Sequence, residues 1–121
     1  MKVSELKDQA LDWAVAKALG YDYEIVDNAV ITGLSVMITD ETDPYFGCST
    51  DEVFNPSTNW NLAGPLIESE MIAVTPADYE GFEAFVWPKG EAVWGDTALE
   101  AICRCFVAKT LGDEIDLPEE L

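Results

Sequence analysis

Residues 81–112, GFEAFVWPKGEAVWGDTALEAICRCFVAKTLG, carry the clearest architectural signal in the chain. Phe82-Glu83-Ala84-Phe85-Val86-Trp87 and Glu91-Ala92-Val93-Trp94 are rich in aromatic and β-branched residues and flank Pro88-Lys89-Gly90, the pattern of a β-hairpin. The trio suits a type I turn with Gly90 in the left-handed position. Directly after it, Thr97 and Glu100 have the spacing of a capping box, and the helix they open runs to Leu111, with Gly112 as its stop. Leu99, Ile102, Cys103, Phe106 and Thr110 form its packing stripe. A hairpin leading straight into a capped helix predicts an α+β domain.

Upstream, Ser4 reads as an N-cap, Glu5 and Asp8 sit where the helix dipole favours anions, and Gly20 supplies a stop, so a helix is expected from Glu5 to Leu19. Its second half, Ala10 to Leu19, is apolar nearly all round and should lie across a sheet. Tyr21, Tyr23 and Ile25 alternate with Asp22 and Glu24, and Asp27-Asn28 offers turn chemistry. This predicts two strands, the second and more buried one running from Ala29 to Ile38 with a bulge at Gly33. Asp40 to Pro65 reads as a long irregular loop, after which Pro65 opens a short helix over Leu66–Met71 and Ile72–Thr75 forms a strand. The expected fold is α+β: two helices packed on a small, mainly antiparallel sheet, with a long irregular central loop. Residues 1–112 would make a single globular domain and residues 113–121 a solvated acidic tail.

Composition narrows the chemistry. Among 121 residues, six Lys plus Arg stand against 24 Asp plus Glu, for a net charge of −18. A chain of this length buries roughly 65% of its unfolded surface, enough for a core. The lack of His removes His-dependent triads, Cys/His dyads and His-ligated metals. Strong negative charge repels phosphate, so direct nucleic-acid binding is not expected. Three cysteines, Cys48, Cys103 and Cys105, suggest reduced thiols rather than a disulfide framework or zinc site. Asp40-Glu41-Thr42-Asp43 and Asp51-Glu52 lack the calcium-loop pattern and read as solvated charge. No metal or cofactor is expected. The N-terminus has no apolar signal core and no run approaches the ~18 apolar residues of a membrane span, so a cytoplasmic, non-membrane protein is expected.

Three blocks carry a family resemblance: Leu11-Asp12-Trp13-Ala14-Val15-Ala16-Lys17, then Pro56-Ser57-Thr58-Asn59-Trp60 running into Gly64-Pro65-Leu66-Ile67-Glu68, and finally Arg104-Cys105-Phe106-Val107-Ala108 with Leu111-Gly112-Asp113-Glu114. The chain resembles the lambdoid-phage NinX family. The resemblance implies a phage accessory protein acting in the host cytoplasm, and it carries no settled biochemical activity.

The candidate ligand site comes from the residues themselves. Phe54-Asn55-Pro56-Ser57-Thr58-Asn59-Trp60-Asn61 leads to Gly64-Pro65, crowding aromatics, amides and hydroxyls between prolines. Trp60 or Phe54 can stack on a base, Asn59 or Asn61 can read its edge, and Ser57 or Thr58 can meet a ribose or phosphate. Backbone amides after Gly64 would add an anion site. The same string also builds tight turns. Of the few cations, Lys17 and Arg104 are the candidates for phosphate, with Trp13 on the same helix face as Lys17. The competing assignments are an ion pair of Arg104 with Glu100 and a solvated Lys17. Two functions follow. The first is sequestration of a small nucleotide-like ligand to counter host defence. The alternative is an acidic mimic of nucleic acid that binds a host protein. A carboxylate-based hydrolase comes third, without a motif. Four Trp and five Phe suit either a core or the interface of a homo-oligomer.

Overall fold

The computed structural model describes residues 1–20, 23–28, 33–38, 52–78 and 80–117, with the backbone alone for 23–28, 33–38 and 52–53. The chain starts in a 3-10 turn, Val3–Glu5, and continues into α1, Asp8–Leu19. Val3 and Leu6 are both buried, and turning both inward interrupts the helix expected from Glu5. Ser4 is therefore not its N-cap. Lys7 holds that position without a side-chain bond, and Asp8 follows with φ 50°, a left-handed value that Asp tolerates better than most residues. Gly20 ends α1 at φ 79°, as expected.

The strands β1 (Tyr23–Asn28), β2 (Gly33–Ile38) and β3 (Glu52–Val53) form an antiparallel sheet in the order β1-β2-β3. Asp27 and Asn28 stay in the ladder opposite Leu34 and Gly33, so Gly33 closes a regular register and makes no bulge. Paired backbone groups override the turn preference of Asp-Asn. The remainder of the second expected strand, Ala29 to Thr32, and the acidic cluster at 40–43, Cys48 and Asp51 lie outside the described residues.

Two further elements occupy the expected loop. Besides β3, α2 spans Trp60–Glu70, and Asn59 caps it by accepting from the Asn61 N–H at 3.0 Å. Pro65 thus lies inside this helix instead of opening one. It removes one helical hydrogen bond, whose carbonyl belongs to Asn61. Asn61 and Pro65 are both exposed, so water can reach that oxygen. Met71 ends α2 with φ 54°.

A second sheet follows, with β4 (Ile72–Pro76), β5 (Phe82–Val86) and β6 (Val93–Gly95) in the order β4-β5-β6, all antiparallel. The predicted hairpin is present, but Gly90 is not left-handed; the positive-φ glycines among the described residues are Gly20, Gly81 and Gly112. Gly90 is needed for close approach instead. Its N–H reaches Val86 O at 2.7 Å, and a Cβ there would stand 2.6 Å from Val86 N.

The last element, α3 (Ala98–Leu111), is capped by Thr97, whose hydroxyl accepts from the Glu100 N–H at 3.1 Å. The expected stripe is too narrow. Leu99 and every residue from Ala101 to Val107 are buried, whereas Thr110 is exposed. The reason is position: α3 packs on all three strands of the second sheet and also on α1 and α2. The fold is α+β, with three α-helices and two small antiparallel sheets among the described residues. Residues 113–115, expected to be solvated, instead pair with the N-terminus through Val3 N–H to Asp113 O at 2.8 Å and Ile115 N–H to Met1 O at 2.9 Å. Burial of Ile115 draws that segment in.

Arg104 ties these parts together. Only 1% exposed, it donates from Nε to Leu6 O at 2.9 Å and from one guanidinium nitrogen to Trp94 O at 2.8 Å, and its other terminal nitrogen meets Glu100 at 2.7 Å. One side chain thus joins the N-terminal turn, β6 and α3. Arg104→Met should lower unfolding free energy by about 3–5 kcal/mol, because two carbonyls and a carboxylate lose their partner in a dry site. Urea unfolding reads this directly; an unchanged midpoint would move the restraint elsewhere.

Candidate functional site

The ten expected ligand residues divide by exposure. Trp13 and Phe54 are core residues at 3% and 2% exposure, and Ser57 and Arg104 are buried. Lys17, Thr58, Trp60 and Asn61 are exposed, while Asn59 and Gly64 are half-buried. Two of the expected walls do meet. Asp12 of α1 accepts from the Ser57 backbone N–H at 2.8 Å, which pins the Asn55–Thr58 turn onto the helix. The turn itself is local chemistry: Thr58 N–H bonds to Asn55 O, and Asn59 Nδ2 to Asn55 Oδ1 at 3.3 Å. Next to it, the Lys17 ammonium lies 5.1 Å from the centroid of the Trp13 ring, a cation–π contact at a helix end.

Arg104 is not placed to receive an anion. Its three contacts with Leu6, Trp94 and Glu100 make it the structural alternative weighed from sequence, the i,i−4 ion pair. Other cations are also engaged. Lys7 pairs with Asp96 at 3.7 Å, and Lys109 pairs with Glu70. Against them stand exposed carboxylates on most elements of the described surface, among them Glu5, Glu68, Glu83, Glu91, Asp113 and Asp116. The field around the molecule is therefore negative, and local cations offset little of it.

Asp12 is the residue that sequence reasoning missed. The available signal was a lone carboxylate in the otherwise apolar run from Ala10 to Ala16. Burial pushes its carboxyl up to about 6, against which the Ser57 backbone bond pulls it down; the Ser57 hydroxyl adds a weaker attraction and Asp8 a slight repulsion. Burial likewise raises the Cys103 thiol, reinforced by Asp12 and Glu100, and raises Cys105, with Lys109 opposing. Neither thiol is an activated nucleophile.

Among the described residues, two clefts bear on the candidate site. One, of about 730 Å³, lies between the N-terminal turn, the β5–β6 hairpin and the end of α3, with Val3, Val86, Val93 and Cys105 among its lining and Lys2 and Lys109 at its charged margin. The other, about 420 Å³, is bounded by Met1, Lys17, Leu111 and Ile115. Lys17 is the one expected ligand residue that lines either of them. Among the described residues, no group of three metal-ligating side chains comes together, and no helix is long and apolar enough to cross a membrane.

These features define an acidic α+β protein whose buried Arg104 is held by structural contacts. The chain belongs to the family described as Bacteriophage P22, NinX, whose family model matches residues 2–110. No characterised relative matches it.

The Asp12 shift has a consequence for stability. Between pH 3.8 and about 6 the folded chain holds a proton that the unfolded chain releases. Stability from this group therefore rises as pH falls through that window, and the cost of the buried charge is complete above it. Asp12→Asn keeps an acceptor for Ser57 and removes that cost. Urea midpoints should show the variant gaining about 2–3 kcal/mol relative to the native chain between pH 4 and pH 7; parallel pH profiles would contradict this account.

Proposed function

We propose that this NinX-family chain acts as a phage accessory protein inside the bacterial host, binding a basic surface of a host protein that otherwise holds nucleic acid. The observation that carries this reading is the charge distribution. The chain carries a net charge of −18, and among the described residues Arg104, Lys7 and Lys109 are engaged in ion pairs while carboxylates on several elements stay exposed. Exposed carboxylates spread over such a body act collectively as the phosphate array of a duplex does, steering cationic surfaces toward it. The work is done by occupancy, and no proton-transfer centre is required.

Host proteins captured by the purified chain should be released by duplex DNA and by raising salt from about 0.1 M to 0.5 M, since contacts of this kind are screened within ~10 Å. Trp60→Ala should leave capture unchanged. Salt-insensitive capture, or capture indifferent to competing DNA, would overturn the reading.

A second reading, sequestration of a small nucleotide-like ligand against host defence, is favoured by the Asp12–Ser57 bond, which joins the polar turn to the helix bearing Trp13 and Lys17. Exposed Lys17, Trp60 and Asn61 would carry it without Arg104. A thermal-shift screen with nucleotides, cyclic dinucleotides and ADP-ribose derivatives decides: ligand at ~100 times its dissociation constant adds about 2.7 kcal/mol. A rise in melting temperature lost in Trp60→Ala would support this reading, and a flat screen would end it.

A further inference from the structure

The second sheet has two unlike faces. Ile72 and Ala84 are buried on the side that packs against α3. Strand alternation puts Ala73 and Thr75 of β4, Glu83 and Phe85 of β5, Trp87 just beyond it and Trp94 of β6 on the other side. The register sets Thr75 opposite Glu83 and Glu83 opposite Trp94. Trp87 is 60% exposed and Trp94 41%, the Phe85 and Trp87 rings lie 6.3 Å apart, and Glu83 is exposed beside Trp94, with Phe85 between it and Trp87 along the strand.

This face is held ready rather than loose. The Trp94 indole N–H donates to Glu80 O at 2.9 Å, and its ring lies over Gly81, where an added Cβ would come within 2.7 Å of it. Gly81 also has φ 78°, so the ring position depends on glycine twice. A half-exposed aromatic held in place loses little conformational freedom on binding, and Trp is among the residues enriched in interface hot spots.

Charge decides the occupant. Exposed Glu83 lies opposite Trp94 in the register and exposed Glu80 holds the Trp94 indole through its carbonyl, while Lys2 and Lys109 line the neighbouring cleft with Val93 and Cys105, which Trp94 also borders. A second copy of a chain with net charge −18 is repelled from this face, as are nucleic acid and anionic lipid. We propose that the outer face of β4-β5-β6 is a docking surface for an arginine-bearing segment of a partner protein, with Trp87 and Trp94 each stacking on a guanidinium group and Glu83 taking the paired donors of the one at Trp94. Arginine suits both contacts: its planar cation stacks on indole, and its fork matches a carboxylate. The proposal rests on the reading that the chain binds basic protein surfaces, and it locates that binding.

The full chain is titrated by calorimetry with a synthetic peptide of alternating Arg and Gly at 0.15 M salt, beside the same peptide with citrulline for Arg, and amide shifts map the contact. The arginine peptide should bind and the citrulline peptide should not, with shifts confined to β4, β5 and β6. Trp87→Ala and Glu83→Gln should each weaken binding about fivefold, the effect of one cation–π or charge-assisted contact, while Asp116→Asn, at the smaller cleft beside Lys17, changes it less than twofold. Trp87 is exposed, so its variant should melt at the native temperature. Equal loss in all three variants, or shifts over the whole acidic surface, would overturn the site while leaving the charge-based function standing. Absence of peptide binding together with salt-insensitive capture of host proteins would overturn both. Concentration-dependent dimerisation that protects these strands would also overturn it, in favour of a self-interface.

Discussion

The fold depends on a buried guanidinium. Arg104 sits in the middle of α3 with almost no contact with water, and it is tolerated because Leu6 O, Trp94 O and the Glu100 carboxylate satisfy it from three directions. A desolvated cation of this kind permits only the arrangement that brings those oxygens together. The N-terminal turn, the edge of the second sheet and the first turns of α3 are therefore placed by one residue. Glu100 also lies 3.5 Å from the Asp96 N–H, and Thr97 caps the helix beside it, so the entry to α3 and the neutralisation of Arg104 share the same side chains.

The cations are few, and three of them are held in ion pairs. With Arg104 buried and Lys7 and Lys109 paired, the surface keeps its negative field largely unopposed. A protein of this kind attracts what nucleic acid attracts. Within that field the second sheet presents two exposed indoles, one of them held over Gly81, so general electrostatic attraction can be converted into a local and chemically selective contact.

Much of the fold was legible in the sequence. The hairpin, the Thr97 cap, the Gly20 and Gly112 stops and the strand after α2 follow from short-range chemistry, and each is present. Features that depended on distant packing were not. Burial of Val3 and Leu6 moved the start of α1 past Ser4, Asn59 out-competed Pro65 for the opening of α2, and Val86 required a glycine at position 90 for space rather than for φ. For the candidate site, Trp13 and Lys17 were correctly placed on one helix face, but Phe54 and Ser57 turned inward because Asp12 pins their turn to α1.

By itself, then, the sequence determined the α+β class, the order of most elements, the negative field and the family, since all of these are written in composition, periodicity and local capping. Tertiary structure alone decided what the two interior charges do. Whether a buried Arg or Asp is a ligand-binding group or a structural one turns on which oxygens and amides of distant segments surround it. Arg104 and Leu6 lie 98 positions apart, and Asp12 and Ser57 lie 45 apart, a separation at which no local pattern reports who the partner is.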